Sequence, residues 1–320
     1  MTDPRSVLSD EAFRKAFTEL GPWEMSRRTK MSVTGIFKRR KNLERKLGVP
    51  IEAPKSHPGN HSVRPAKFPQ RVYFKVDTGT VLIGSDAHIW PGEMSTMMRA
   101  FIKFVKEMRP KIVVLNGDMM DFPTASRFDP LGWEKQPTLQ EEIETAQDQL
   151  HKIEMAAGRG VPKIWCLGNH DQRFESRIAT IAPEYAKVKG VHLHDHFPNW
   201  PGCWTAWIND EIVIAHSFKG GDHAPFHNTL RSGKTHISGH LHSAKIIPYT
   251  DYNQTRYGVD TGCLADVEHA AFVNYTRDAP KNWRAAFCVL TFKDSVLLQP
   301  ELVLKYDDDR VQFRGEIIRI

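Results

Sequence analysis

The chain has 320 residues, which is long enough for a large hydrophobic core and an additional small segment. Hydrophobic residues make up 40% and charged residues 26%, a balance that excludes an intrinsically disordered chain. No apolar run approaches the roughly 18 residues that a membrane span needs, and the polar N-terminus lacks a signal-peptide core. We therefore expect a cytoplasmic protein without membrane contact, whose four widely spaced cysteines stay reduced.

The first predicted elements are three short helices. Residues 9–20 repeat phenylalanine and leucine at helical spacing, and Gly21-Pro22 separates them from a second helix over residues 22–29. A third helix is predicted over residues 33–47, with Ser32 as its cap. These elements indicate a small all-α domain over residues 1–48.

Basic charge is concentrated within this helical segment. Between Arg27 and Lys46 there are nine basic residues and one acidic residue, which gives a local charge of +8. The net charge of the whole chain is +6, so the remainder is slightly acidic. Clustering of this kind favours a local anion-binding surface.

Residues 22–47 resemble a helix-turn-helix of the kind found in DNA-binding repressors and resolvases, except that Lys30 stands where a glycine is usual in the turn. The resemblance implies that the third helix enters the major groove of DNA. The candidate nucleic-acid contacts are Thr34, Lys38, Arg39 and Arg40. A solvated basic helix, or a helical arm docking on another subunit of a homo-oligomer, remains the alternative.

Residues 49–70 contain five prolines and no periodic pattern, which predicts a semi-extended linker. From residue 71 to residue 320, strands first alternate with amphipathic helices, and the chain then becomes rich in strands. This order predicts an α/β domain in which two packed sheets are flanked by helices.

Seven oxygen or imidazole side chains follow apolar runs that are predicted to be strands. They are Asp86, His88, Asp118, Asn169, His216, His240 and His242. Side chains of these types, brought together at the carboxyl ends of strands, can form one pocket for two divalent metals. Two adjacent metals are suited to promoting attack on a phosphorus centre.

The motifs around these residues are D-x-H, G-D-x-x-D, G-N-H-D, a single histidine after a strand, and G-H-x-H, in that order over residues 78–266. Together they resemble the calcineurin-like metallophosphoesterase superfamily. The resemblance implies a four-layered α-β-β-α sandwich and hydrolysis of phosphoric esters. The superfamily includes protein phosphatases, nucleotide phosphodiesterases, DNA-repair-type nucleases and RNA-processing enzymes. Phe122-Pro123 replaces the arginine of the protein-phosphatase branch, which argues against that activity.

The resemblance also implies how the ligands are shared between two metals. Asp86, His88 and His242 would bind the first metal, and Asn169, His216 and His240 the second. Asp118 would bridge both metals through its two carboxylate oxygens. Imidazole ligands favour manganese, iron, zinc, cobalt or nickel over magnesium. Of these metals we expect manganese. Glycines before Asp118, Asn169 and His240 allow close backbone approach.

His170 is the predicted general acid, because it adjoins Asn169 but is not a ligand in the family pattern. Asp121 would orient the His170 ring, and Asp171 would support the turn. The expected nucleophile is a metal-bridging hydroxide that attacks in line, since two cations make water acidic near neutral pH.

Three further histidines alternate in the segment VHLHDHF: His192, His194 and His196. Their spacing of two predicts a strand with all three on one face. We interpret them as structural residues, with a metal-binding face as the alternative.

These features predict a metal-dependent phosphodiesterase, specifically a nuclease of phage-type origin. Its basic N-terminal domain would deliver the catalytic domain to DNA. One alternative is a small-molecule phosphomonoesterase or cyclic-nucleotide phosphodiesterase with a regulatory N-terminal domain. Another is a non-enzymatic transcription regulator, which the complete ligand set argues against.

Overall fold

The computed structural model describes residues 8–53, 68–126, 133, 135–268 and 281–320. The chain divides into two compact units, Met1–Val63 and Arg64–Ile320. Residues 54–67, which form most of the predicted linker, lie outside the described residues.

Within residues 8–53, the N-terminal unit contains two helices, α1 (Asp10–Thr29) and α2 (Val33–Leu47). Gly21 interrupts α1 with a non-helical backbone (φ 72°), so its two parts match the first two predicted helices. Lys30 ends α1 in the left-handed conformation (φ 57°) that glycine usually supplies at such a turn. The helical prediction for this segment is therefore confirmed.

This unit has a hydrophobic core of its own, built from one face of each helix. The buried residues are Phe13, Phe17, Met25, Ile36, Leu43 and Ile51. Ser9 and Ser32 accept hydrogen bonds from backbone N–H groups in the first turns of α1 and α2. Because these caps satisfy otherwise unpaired donors, they fix where each helix begins.

The larger unit contains further helices and strands within the described residues. Its helices are α3 (Thr96–Met108), α4 (Leu139–Ala157), α5 (Asp171–Ile181), α6 (Leu193–His196) and α7 (Ala224–Ser232). Its first eight strands are β1 (Arg71–Phe74), β2 (Gly79–Gly84), β3 (Ile112–Leu115), β4 (Lys163–Cys166), β5 (Gly202–Cys203), β6 (Thr205–Ile208), β7 (Ile212–Ile214) and β8 (Thr235–Ser238). The others are β9 (Lys245–Thr250), β10 (Thr255–Asp260), β11 (Ala286–Lys293), β12 (Val296–Leu297), β13 (Glu301–Lys305), β14 (Arg310–Phe313) and β15 (Glu316–Arg319).

These strands form two sheets. One sheet has the order β15-β14-β13-β11-β2-β3-β4-β5, with β12 paired to β11, and β2, β3, β4 and β5 run parallel. The other has the order β1-β6-β7-β8-β10-β9, and β7 and β8 run parallel. Parallel neighbours place their carboxyl ends at the same edge of a sheet.

Two hydrophobic clusters show that the larger unit is layered. One lies between the sheets and contains Val81 and Val114 of the first sheet together with Ile214 and Val259 of the second. The other joins the helices α3 and α4 to the outer face of the first sheet. Helix α7 packs on β8, β9 and β10 of the second sheet. The predicted four-layered α-β-β-α sandwich is confirmed.

Two predictions of secondary structure are wrong in detail. The apolar residues of CWTAWIND predict one strand over residues 203–210, but the segment is divided, because β5 pairs with β4 whereas β6 pairs with β1 and β7 in the other sheet. The segment VHLHDHF is not a strand, since Leu193–His196 forms the short helix α6. An alternating pattern over so few residues is compatible with a strand or with a helix, and tertiary contacts decide which of them forms.

Within the described residues, none of the helices combines the length and apolar character that crossing a bilayer requires. The four cysteines are buried free thiols.

One buried histidine makes the stability of this fold depend on pH. His236 in β8 is 3% exposed, and neither ring nitrogen has a hydrogen-bond partner among the described residues. Its ring stacks against Phe218 at 5.6 Å. Because burial disfavours the charged imidazole, it lowers the pKa of His236 to about 4.

We predict that this site destabilises the protein in acid. The unfolded chain binds the proton from about pH 6.5 downward, whereas the fold resists it until about pH 4, so stability falls between these values. Between pH 7 and pH 5, the free energy of unfolding of His236→Leu should fall by about 2 kcal/mol less than that of wild type. Denaturant titrations at both pH values measure it, with His151→Leu, an exposed histidine, as the control. Parallel pH dependence in wild type and His236→Leu would contradict the prediction.

Candidate metal centre

The loops that carry the predicted ligands meet at the carboxyl ends of strands from both sheets. Loops after β2, β3 and β4 come from the first sheet, and loops after β7 and β8 from the second. Hydrogen bonds join neighbouring loops: Asp86 N donates to Gly117 O at 2.8 Å, Gly239 N donates to His216 O at 3.0 Å, and His240 N donates to Asp86 Oδ2 at 2.9 Å. The two sheets therefore hold five loops in one place.

The first ligand group consists of Asp86, His88 and His242. One ligand atom from each residue lies within 4.8 Å of the others, and all three side chains are buried. His242 Nε2 is 3.1 Å from Asp86 Oδ1. His242, which is more than 150 positions from Asp86 in the chain, thus joins Asp86 and His88, and the group offers one carboxylate and two imidazoles to one cation.

The second ligand group consists of Asp118, His216 and His240, whose ligand atoms also lie within 4.8 Å of one another. His216 Nδ1 lies 2.7 Å from Asn116 O, so this nitrogen carries the proton and donates it to the carbonyl. His216 Nε2, the nitrogen on the other side of the ring, lies 3.0 Å from Asp118 Oδ2. A carbonyl partner of this kind fixes the tautomer that binds metal.

The electrostatics of the pocket favour positive charge. Burial opposes an imidazolium at His216, but the charges of Asp86 and Asp118 outweigh it and raise the pKa of His216 to about 10. Burial also opposes ionisation of Asp118, yet the neighbouring His216 and His170 lower its pKa. His216 Nε2 is buried and faces the Asp118 carboxylate. Divalent cations would fit these donors, because they would replace the proton as the positive charge.

Asp118 occupies the middle of the arrangement. Its Oδ1 accepts a hydrogen bond from the backbone N of His170 at 2.7 Å, and its Oδ2 faces His216. Asn169 precedes His170 in the same turn, and its side chain is exposed. The structure therefore places Asp118 beside both the second ligand group and the G-N-H-D turn.

His170, Asp121 and Arg173 form a chain of contacts at the edge of this centre. His170 Nδ1 lies 2.5 Å from Asp121 Oδ1, and its Nε2 lies 3.9 Å from Asp118 Oδ2. Arg173 Nη1 donates to Asp121 O at 2.7 Å, and its Nη2 is 2.9 Å from His170 Nε2. Burial opposes a charged His170, but Asp121 and Asp118 raise its pKa. Asp121 also lies 3.3 Å from His88 Nδ1.

Most of the predicted ligands have a left-handed backbone, which the sequence did not reveal. The φ angles are +53° for Asp86, +40° for His88, +52° for Asp118, +72° for His240 and +56° for His242. Such angles are uncommon outside glycine and concentrate at functional sites, where surrounding contacts hold the strained residue. The turns aim these side chains away from the strand direction and into the pocket.

Three glycines before predicted ligands lie where a larger residue would collide. A Cβ at Gly168 would lie 2.1 Å from Asp118 Oδ1, and one at Gly239 would lie 2.4 Å from Asp86 Oδ2. Gly117 has φ +84°, and its Cβ would meet the His216 ring at 2.4 Å. The close backbone approach expected from the sequence is present at all three.

Sequence reasoning missed two carboxylates that support the loops from behind. Asp260 lies at the end of β10 and is fully buried. It accepts hydrogen bonds from Ser243 and from the backbone N of Gly262. Glu142 of α4 is also fully buried and accepts from the backbone N of Phe122 at 2.8 Å. Neither residue belongs to a recognisable motif, so only the folded structure brings them to the site.

The predicted nucleic-acid contacts differ in their surroundings. Thr34 and Lys38 are exposed on α2. Arg39 contacts Leu8 O and Asp10, and its guanidinium lies over the Phe13 ring at 4.7 Å. The Arg40 guanidinium lies near two phenylalanine rings and 3.6 Å from Glu44. Arg39 and Arg40 therefore interact mainly within their own unit.

Comparison with known proteins identifies the family. Residues 79–244 match the family of calcineurin-like phosphoesterases. The chain belongs to this family. The matched region spans the loops after β2, β3, β4, β7 and β8, which carry every predicted metal ligand. The family resemblance seen in the motifs is thus confirmed.

Two phage proteins are related to this phosphoesterase over most of its length. The gene 54 protein of Mycobacterium phage D29 is 27% identical over 243 residues, covering 70% of this chain and 92% of that protein. The gene 54 protein of Mycobacterium phage L5 is 25% identical over 246 residues, with the same coverage. The expected phage-type relationship is therefore supported. Among solved structures, a dimetal phosphatase from Danio rerio is 12% identical with a TM-score of 0.38, covering 77% of this chain and 99% of that one.

We predict that Gly168→Ala disables this phosphoesterase. The added methyl group would displace Asp118 by an ångström or more, and such shifts typically cost about a hundredfold in rate. Hydrolysis of bis(p-nitrophenyl) phosphate with added Mn²⁺ measures the effect. Gly220→Ala is the matched control, since nothing lies within 4 Å of a Cβ at that exposed position. Wild-type activity in Gly168→Ala would show that the close approach is dispensable.

Proposed function

We propose that this protein is a two-metal phosphodiesterase, a nuclease that acts on DNA. The observation that carries the proposal is the pair of ligand groups, Asp86-His88-His242 and Asp118-His216-His240, beside His170. Asn169 would complete the predicted ligand set, and Asp118 would help to hold both cations. When bound, two divalent cations would acidify water and neutralise phosphate charge. Manganese is the proposed metal, with iron, zinc, cobalt and nickel as alternatives.

The protein's own residues would supply the proton and its positioning. Asp121 holds His170 from the Nδ1 side, so the Nε2 side is directed toward the ligand groups. Protonated at Nε2, His170 would donate to the departing oxygen. Arg173 contacts His170 Nε2 in this structure. An incoming phosphate would draw Arg173 away from Nε2 by accepting hydrogen bonds from its guanidinium.

We predict that His170→Ala slows esters with poor leaving groups far more than esters with good ones. A general acid matters most when the departing oxygen is basic, so phenyl diesters should lose roughly a hundredfold more than p-nitrophenyl diesters. The ratio of kcat/KM values for the two substrates measures this difference. His151→Ala, which changes an exposed histidine, should leave both rates unchanged. Equal losses for both substrates would rule out His170 as the acid.

The DNA part of the proposal depends on the exposed basic face of α2, which we define as Thr34, Lys38, Lys41 and Arg45. These residues are spaced by four, three and four positions, so they share one side of the helix. None of the three basic residues has an ion-pair partner among the described residues. Such a stripe is suited to phosphate contacts along a nucleic-acid backbone.

We predict that Lys38→Gln/Lys41→Gln weakens DNA binding and reduces the slope of log affinity against log salt by about two. Arg14→Gln/Lys15→Gln removes the same charge from an exposed part of α1 and should change the slope much less. Fluorescence anisotropy with labelled duplex DNA across a salt series measures both variants. Turnover of bis(p-nitrophenyl) phosphate should remain unchanged in each. Equal effects of the two double variants would contradict a specific role for the basic face of α2.

The alternative is a small-molecule phosphomonoesterase or cyclic-nucleotide phosphodiesterase with a regulatory N-terminal unit. It is favoured by the internal contacts of Arg39 and Arg40, which leave fewer basic side chains for DNA. A cleavage panel with Mn²⁺, containing single- and double-stranded DNA, RNA, cyclic nucleotides and a chromogenic monoester, separates the two. Turnover of a cyclic nucleotide or monoester without cleavage of any nucleic acid would establish the alternative.

A further inference from the structure

A further group of potential ligands shares no residue with the two catalytic ligand groups. Glu175 of α5 and His192 and His194 at the start of α6 place one ligand atom each within 4.8 Å of one another. The two imidazole rings stack with centroids 5.4 Å apart and planes inclined by 26°. Residues that the sequence pattern assigned to a strand face are thus brought together by a helical turn, and α5 adds the carboxylate.

The hydrogen bonds of His192 prepare one ring nitrogen for a cation. Its Nε2 lies 2.8 Å from Ala186 O, and a carbonyl can only accept, so Nε2 carries a proton. In the neutral ring, Nδ1 then presents a lone pair to Glu175 Oε2 at 3.2 Å. A lone pair facing a carboxylate is repelled unless a positive charge lies between them. That charge is either a second ring proton or a metal ion.

The remaining contacts can accommodate a metal as that charge. Glu175 Oε1 accepts from the backbone N of Leu193 at 3.1 Å, which fixes the carboxylate and leaves Oε2 directed at His192. His194 is 47% exposed, so its ring can turn toward a shared ion at small cost. Asp195 Oδ1 lies 3.5 Å from His194 Nε2 and can support the ring from outside. Supporting carbonyls and carboxylates are usual around metal-binding imidazoles.

We propose that Glu175, His192 and His194 bind a borderline divalent cation, with Zn²⁺ as the best fit. Two imidazoles and one carboxylate form a donor set that suits zinc, with water in the fourth position of a tetrahedron. The ion would join α6 to α5, the helix that begins at Asp171. This site is independent of the proposed phosphodiesterase activity, because none of its ligands belongs to the catalytic groups.

The test counts zinc ions bound to the full-length protein. Equilibrium dialysis against Zn²⁺ followed by elemental analysis should give one ion fewer per chain for His194→Gln and for His192→Gln than for wild type. His196→Gln is the matched control, because that histidine lies on the same helix but directs Nε2 to Gly190 O, and it should bind as many ions as wild type. Turnover of bis(p-nitrophenyl) phosphate should be unchanged in His194→Gln, which separates this site from the catalytic centre.

A second measurement protects the test against a folding artefact. Added Zn²⁺ should raise the melting temperature of wild type more than that of His194→Gln, since an ion bound to the folded state stabilises it. His194 is half exposed, so this variant should fold like wild type without zinc. Equal zinc content and equal zinc-induced shifts in wild type and His194→Gln would overturn the proposal. The contact between Glu175 and His192 would then be an ion pair between a carboxylate and an imidazolium.

Discussion

The buried carboxylate of Asp171 is the interaction on which the metal centre depends. It is 1% exposed and accepts four hydrogen bonds at 2.9 Å, from the backbone N of Asp118, Met119 and Gly168 and from Trp165 Nε1. One side chain thereby ties the loop after β3 to the loop after β4. Burial and the nearby Asp118 charge raise the pKa of Asp171 to about 6, so it is largely ionised at neutral pH. Its four donors offset the cost of burying that charge.

The same arrangement recurs at the other ligand loops. Asp86 accepts from the backbone N of His240, which brings the loop after β8 to the end of β2. Asp260 holds the residues beside His242 in the same manner. Left-handed turns are costly for these residues, and hydrogen bonds to buried carboxylates supply the contacts that maintain them. The loops are thus ordered by the protein itself, and a cation would meet donors that already converge.

The sequence was informative where function resides in local patterns. Apolar runs followed by Asp or His predicted the strands and the clustering of the candidate ligands, because parallel strands bring their carboxyl ends together whatever the loops contain. It was uninformative where distant contacts decide. The division of residues 203–206 between two sheets depends on which neighbours pair with them. The meeting of Glu175 with His192 depends on how α5 packs. The sequence suggested that Arg39 was available for DNA, because it does not show that Arg39 contacts Phe13, which is distant along the chain.

The two oxygens of Asp118 show why this centre can be both rigid and reactive. Oδ1 is fixed by the backbone N of His170, so the carboxylate and the proposed acid keep a constant separation. Oδ2 faces His216, whose other nitrogen is held by Asn116 O. The Asp118 carboxylate and the His216 ring are therefore each oriented by a backbone contact on the outer side. Only the inner atoms remain to respond to charge, and preorganised groups of this kind need little rearrangement when a reaction develops charge.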